Sequence, residues 1–452
     1  MRIIIYTVRN IISVFGILLL FATCASEKNE HPGHTVITKW QGDKRSAISI
    51  TYDDGVITNF TVARPIMNDL GLPGTFYIVT GKVEGSQKGK FIGRPKDEII
   101  KETATIKTNP DNFFERASLI AYTGMKDAVE YNVEAGSLFE EGKIAEAHAL
   151  IDEAYEQVRS SNLTDVENVV FDNHPEDTTT WKEYQLYTSE GHEIASHSIT
   201  HPRLSVLDEV NMLYELEQSQ SDIQKFLGAK YTFSAECPFG TENPRVMEYA
   251  LKVYPALRNR MPEPYLDELN RSSQRLPGES DKEYVQWQRG PHTDTSMDLM
   301  KSWVDTSIVH DNIWLVLVFH GVDGIGWEPR TGADLQEYFG YIKQKEDYVW
   351  VATFADVTKY VRERKNSKVS STLKDQAIVV NVSSDLDPEV YDVPITLKTY
   401  LPEAWKASVL TKSSNPDDKV TLSIQQDALG AYVLYSVIPG QSEIILTERV
   451  DL

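Results

Sequence analysis

The chain has 452 residues, 41% of them hydrophobic, and a formal net charge of −22 at neutral pH. This length and apolar content suit two or three domains with a large core and no need of disorder. The negative charge argues against nucleic-acid binding, which needs a basic face, and weakly disfavours strongly anionic polymers as substrates, although a local field can oppose the global one.

At the N-terminus, Arg2 and Arg9 precede an apolar run from Ile11 to Ala22. The run is short for a membrane span and suits the core of a signal peptide. Cys24 follows the small residues Ala22 and Thr23, as in a relaxed bacterial lipobox. The expectation is a signal over residues 1–24, lipidation of Cys24, a polar tether from Ser26 to Pro32, and a place in the cell envelope held through that lipid. An ordinary signal peptide cut near Ala25, giving a periplasmic or secreted protein, is the alternative. The other cysteine, Cys237, reads as a small buried residue.

Alternating elements follow: a strand at Ala47 to Thr51, a helix at Asn59 to Leu70 and a strand at Gly74 to Val79. The alternation breaks over residues 84–186. There Phe113 to Glu140 is helix-like, and Ile144, Ala147, Ile151, Ala154 and Val158 recur at helical steps. The pair resembles one tetratricopeptide-type hairpin, too few copies for a solenoid. It reads as an insertion that packs on the main fold, roofs the site, or serves as a spacer. Alternation resumes with a strand at Gly191, a helix from Ser205 to Leu227, the apolar strand Trp314 to Phe319, a strand at Val349 to Ala352 and a helix at Phe354 to Arg364. Reactive residues just past the strands point to an α/β barrel over residues 33–366, with its site at the C-terminal rim. Asn366 to Thr372 reads as a polar linker. Short β runs at Ala377 to Val382, Val393 to Thr399 and Tyr432 to Val437 then predict a small β-sandwich over residues 373–452, which binds carbohydrate or braces the barrel.

Three segments carry the chemistry: Thr51 to Gly55 (TYDDG), Ser196 to His201 (SHSITH) and Leu315 to Gly321 (LVLVFHG). His197 and His201, four apart, face one way on a helical turn or a tight loop of similar pitch. The adjacent carboxylates Asp53 and Asp54 repel, and a nearby cation or shared proton relieves that strain. Together the segments hold one carboxylate and two imidazoles for a metal, plus a spare carboxylate and a spare imidazole, an inventory for metal-assisted hydrolysis.

With GHEIASHSITH, PFG at Pro238 to Gly240, VFHG and WVATFADVTKY, the chain resembles a polysaccharide deacetylase of carbohydrate esterase family four from Arg45 to about Arg364, the insertion apart. The resemblance implies a distorted (β/α) barrel, usually of seven strands. It implies that Asp54, His197 and His201 bind a divalent metal, with zinc the default and cobalt, nickel or manganese also able to occupy such a site. It further implies Asp53 as general base, the Phe239 backbone N–H as oxyanion donor and His320 as general acid, for which Asp323 is a candidate carboxylate neighbour.

Two departures stand out. Glu236 occupies the position where many members have an arginine that pairs with the base, so it must point away or be compensated by a cation. The Asp and Trp that tune the acid in many members are not evident. Arg258 is a candidate to orient Asp53 or meet substrate, Arg289 is a second, and Trp327 is a candidate stacking platform. His31, His34, His148, His174, His192, His292 and His310 read as structural or surface residues. The resulting expectation is a hydrolase that removes N- or O-acetyl groups from a glycan, with no nucleic-acid or protein partner. A carbohydrate-binding surface protein without catalysis, and a metal-dependent hydrolase of a small non-sugar amide, are the alternatives.

Overall fold

The computed structural model describes residues 32–161, 166, 168–171, 179–241, 243–412, 414–441 and 443–448. The signal segment, Cys24, His31 and His174 lie outside the described residues. In chain order the strands are β1 (Thr35–Ile37), β2 (Ser46–Tyr52), β3 (Thr75–Ile78), β4 (Glu193–Ser196), β5 (Ser234–Ala235), β6 (Ala256–Leu257), β7 (Leu266–Leu269), β8 (Tyr284–Arg289), β9 (Ile313–Phe319) and β10 (Val349–Val351). Helices α1 (Arg64–Leu70), α2 (Lys96–Glu102), α3 (Phe113–Ile120), α4 (Ala128–Glu140), α5 (Ile144–Ser160), α6 (Trp181–Ser189), α7 (Glu209–Leu227), α8 (Pro244–Val253), α9 (Met297–Val309), α10 (Gly332–Gln344) and α11 (Phe354–Asn366) accompany them.

Nine strands form one parallel sheet in the order β6-β5-β4-β3-β2-β9-β8-β7, with β10 branching onto β2. It curls into a distorted barrel; among the described residues nothing pairs β6 with β7. Strands β2 and β9 are buried along their whole length, which is why both read as near-continuous apolar runs. Along β9, Ile313, Leu315, Leu317 and Phe319 pack with α1 and α10, while Trp314, Val316 and Val318 pack with α11. That alternation is the two-residue period of a strand covered on both faces. Burying each such side chain fully is worth about 1.5–3 kcal/mol.

The sheet also fixes the functional rim. Backbone bonds continue the ladder one residue past several strand ends: Asp53 N–H to Phe319 O at 3.0 Å, His197 N–H to Ile78 O at 2.9 Å, Glu236 N–H to Ser196 O at 2.9 Å and Arg258 N–H to Ala235 O at 3.1 Å. Each residue that follows a strand is thereby held at the same end of the barrel.

The insertion differs from expectation in two respects. Phe113 to Glu140 is two helices, α3 and α4, parted by a turn in which Gly124 and Asp127 have positive φ. Helix α6, read as part of the insertion to residue 186, is a barrel helix. It opens on a capping box between Thr180 and Glu183, and Tyr184 and Tyr187 pack on Phe60 in the main core. Helices α2 to α5 form their own core around Phe113, Ile151 and Tyr155, which reaches Val206 of the barrel.

The C-terminal part is a two-sheet sandwich of β11 (Ser367–Lys374), β12 (Ala377–Ser384), β13 (Ile395–Tyr400), β14 (Ser408–Lys412), β15 (Asn415–Leu422), β16 (Gln425–Asp427), β17 (Gly430–Val437) and β18 (Ile444–Glu448). One sheet runs β1-β13-β17-β16 and the other β11-β12-β18-β14-β15. Two boundaries therefore move. Strand β1, assigned to the barrel domain by sequence, pairs antiparallel with β13. The expected linker is absent, because α11 runs directly into β11. Strand β11 is an edge strand with an exposed face, so its sequence reads as polar. Tyr360 of α11 is buried in the sandwich core, and its hydroxyl donates to Thr38 O at 3.0 Å. No described helix is long and apolar enough to cross a membrane.

Candidate active site

Asp54 leaves β2 with φ at 70°, followed by Gly55 with φ at 65°. A side chain at Gly55 would start 3.3 Å from Ile78 Cγ2, so the turn needs glycine both for its dihedral and for its space. His197 and His201 follow β4 on a tight loop, not on a helix. Glu215 of α7 holds that loop: its carboxylate accepts from the N–H groups of Ile199 and Thr200 at 2.9 Å and from Thr200 Oγ1 at 2.7 Å. Ser198 Oγ accepts from His201 N–H at 3.0 Å. Asp54, Ser198, His201 and Phe239 all have positive φ. Non-glycine residues in that region cost on the order of 1–3 kcal/mol each, and such strain clusters at functional sites.

The result is a convergent set. Asp54 Oδ1 lies 3.2 Å from His201 Nε2 and 3.5 Å from His197 Nε2, and the donor atoms of the three residues lie within 4.8 Å of one another. His197 Nδ1 donates to Glu236 O at 2.9 Å, which turns the lone pair of Nε2 toward Asp54. One carboxylate and two imidazoles aimed at a common point fit a divalent transition ion such as zinc.

Asp53 sits beside this set, buried and fixed by a two-armed contact: Arg258 Nη1 and Nη2 donate to its two oxygens at 2.6 and 2.7 Å. Arg258 Nη2 also pairs with Glu236 at 2.9 Å, and Nη1 donates to Thr51 Oγ1 at 2.8 Å. Arg258 is thus the cation that lets Glu236 and Asp53 share one buried site. Burial pushes the Asp53 carboxyl up, but Arg258 and His320 outweigh it and hold the group below the usual carboxylate range. Burial pushes Glu236 up, with the Asp53 charge adding to it. His320 follows β9, with Nε2 at 3.4 Å from Asp53 Oδ2. Burial pushes its pKa down to about 4 against the pull of Asp53 and Asp54.

A cleft of about 540 Å³ opens over these groups; Asp53, Asp54, His197, His201, His320, Phe239 and Trp327 line it. Trp327 is 51% exposed and stands edge-on to His320, ring centres 4.6 Å apart. Phe239 packs on the His201 ring at 4.8 Å and lies under the Arg203 guanidinium at 4.6 Å.

Two sequence candidates are not where they were expected. Asp323 accepts from Gly332 N–H at 2.8 Å, at the start of α10, and the carboxylate facing His320 is Asp53 instead. Arg289 lies over the Trp287 ring at 4.8 Å and donates to Arg271 O at 3.2 Å, outside the lining of the cleft. Phe171, Arg203 and Arg271, which sequence reading did not single out, line the cleft. Phe171 is anchored by its N–H to Thr200 O at 2.7 Å. A signal for Arg271 was hard to see, since it lies in the polar stretch Asn270 to Gln274 between strands.

Residues 159–255 match the family model described as polysaccharide deacetylase. That span holds His197, His201 and the Pro238 to Gly240 turn. A gellan lyase from a Bacillus species is 25% identical over 248 residues, which is 52% of this chain and 10% of the lyase; the chain thus spans about a tenth of that relative. Among solved structures, a family 4 carbohydrate esterase from Streptomyces lividans is 12% identical with a TM-score of 0.30, over 68% of this chain and 92% of the other. A family 4 carbohydrate esterase from Bacillus anthracis is 13% identical with a TM-score of 0.30, over 72% and 86%. These structural likenesses are too low to add weight, and the assignment stands on the matched residues. Over residues 159–255, the segment that holds His197, His201 and the Pro238 to Gly240 turn, the chain is thus similar to the polysaccharide deacetylases.

Proposed function

We propose that the protein is a metal-dependent deacetylase of an oligomeric or polymeric glycan. The observation that supports this most is the buried Asp53–Arg258–Glu236 group and His320 placed beside the Asp54, His197 and His201 donors at the floor of one cleft.

In this reading Asp54, His197 and His201 hold a divalent ion, zinc by default. When bound, such an ion supplies Lewis acidity, making water a better nucleophile and polarising the acetyl oxygen. Asp53 takes the proton of the attacking water. Arg258 keeps that carboxylate ionised and fixes its two oxygens. The water oxygen bonds to the acetyl carbon, and the backbone N–H of Phe239 stabilises the charge on the carbonyl oxygen. His320, neutral at rest because it is buried, receives the proton from Asp53 and passes it to the departing amine or alkoxide. The C–N or C–O bond breaks, and acetate leaves. Trp327 offers a face for a sugar ring.

The cleft adjoins a second cavity of about 360 Å³ that shares Phe239, Gly240, Arg271 and Trp327. Two adjoining cavities favour a substrate of more than one sugar unit over a small amide. We also propose export and lipid anchoring at Cys24, on the strength of the N-terminal sequence alone. The test is acetate release from N- and O-acetylated glycans, with and without chelator. Release that chelator stops and zinc restores is the expected result. Metal retained with no release from any acetylated glycan would favour a binding role instead.

A further inference from the structure

The second cavity contains a cation that nothing in the reaction uses. Arg271 stands between the two cavities, half-buried, 5.8 Å over the Trp327 ring. Among the described residues its guanidinium has no carboxylate partner, whereas Arg258 and Arg275 are each held by an aspartate through both guanidinium arms. Space is kept around it. A methyl group at Gly240 would stand 3.8 Å from Arg271 Nη2, and one at Gly290 would stand 2.9 Å from Arg271 Cδ and 3.6 Å from Nη1. Asn259 is buried in the same wall, and its Nδ2 has no acceptor. That atom would lie 3.6 Å from the same methyl at Gly240, so the two unpaired donors converge.

A buried amide donor without an acceptor is unfavourable, and a half-buried guanidinium beside it with no carboxylate favours a ligand that offers acceptors to both. A carboxylate suits both, since it pairs with the planar fork of arginine and has lone pairs left for the amide. Neutral sugar hydroxyls would satisfy hydrogen bonds but leave the charge. The chain's overall charge of −22 opposes an anionic glycan at long range, but screening over about 8 Å at physiological salt leaves the local cation in control inside the cleft. We infer that this cavity is a subsite for a carboxylate-bearing sugar unit next to the acetylated one, with Arg271 as its ion-pair partner and Asn259 as a supporting donor. The inference deepens the deacetylase reading above and rests on it for the neighbouring acetylated unit.

The test titrates the zinc-loaded protein with an oligosaccharide that alternates N-acetylglucosamine and glucuronate, and with its carboxyl-reduced counterpart, in which each uronate has become glucose. The wild type is expected to bind the acidic form at least tenfold more tightly, with a preference that falls as salt rises. Arg271→Gln should bring the two affinities together. Asn259→Asp, which places a competing carboxylate beside an intact Arg271, should do the same and covers the case in which Arg271→Gln fails to fold. Equal affinities in the wild type, or a preference unchanged in both variants, would overturn the subsite. Acetate release from the same pair reads the catalytic proposal separately: charge-selective binding with no release keeps the subsite and rejects the deacetylase, whereas release without charge preference does the reverse.

Discussion

Arg258 shows how one residue can decide whether a site works. It joins two carboxylates that otherwise could not share a buried space, and each is anchored only if the guanidinium is present. Removing one partner from a buried ionic group costs about 3–5 kcal/mol, because the rest is left uncompensated. Arg258→Ala should therefore lower the melting temperature and cut kcat by roughly 100-fold or more, about 2.7 kcal/mol of barrier. Bound zinc should stay near wild type, since Asp54, His197 and His201 are untouched; an active variant would remove Arg258 from the machinery. His192 gives a second prediction, away from the chemistry. Its Nδ1 accepts from Gly74 N–H at 3.1 Å, so the ring must be neutral, and Nε2 donates to Asn68 Oδ1 at 2.8 Å. Burial pushes its pKa from 6.5 down to about 4. A depressed histidine contributes stability that is complete above pH 6.5 and lost as pH falls toward 4, at most about 3 kcal/mol. His192→Gln should flatten the fall of the urea midpoint between pH 6.5 and 4.5, and an unchanged slope would refute this. The residues proposed as ligands, base and acid were visible in the sequence because they follow strand-like runs. Arg258 was ambiguous because its strand, β6, has only two residues. Glu215 was not visible, since its role depends on a loop packed against α7.

Among the elements, Arg203 links helix α4 of the insertion to the cleft. The Arg203 guanidinium lies over the Phe239 ring and pairs through Nη1 with Glu140 of α4. A methyl at Gly136 would fall 2.3 Å from Arg203 Cδ, so α4 has to present glycine there for the arginine to pass. Gly136→Val should displace Arg203 from Phe239 and raise KM by about tenfold, roughly 1.4 kcal/mol of binding. Zinc content should not change, and a KM equal to wild type would make the insertion a spacer. The helical period of α5 was plain in the sequence. The placement of α6 was not, because its aromatic stripe at Trp181, Tyr184 and Tyr187 fits an insertion helix as well as a barrel helix until Phe60 is seen against it. Edge strand β11 escaped detection for the opposite reason: it has almost no buried face to leave a pattern.

For the molecule as a whole, barrel and sandwich share a core. Tyr360 on α11 and the strand β1 before the barrel are both built into the sandwich. Deleting residues 367–452 should leave β1 unpaired and Tyr360 exposed, and yield an aggregating barrel; a soluble, active truncation would show that the sandwich is dispensable. Barrel class and the β character of the C-terminus were readable from local patterns. The return of β1 to the far end of the chain was not, because pairing between residues hundreds of positions apart leaves no local trace.

The proposed chemistry requires that Asp54, His197 and His201 converge on a single ion. Elemental analysis of zinc-reconstituted, dialysed protein measures it directly, with the His197→Ala/His201→Ala double variant as comparison. Close to one zinc per chain is expected in the wild type and almost none in the variant. No zinc retained by the wild type, or equal zinc in both, would contradict it.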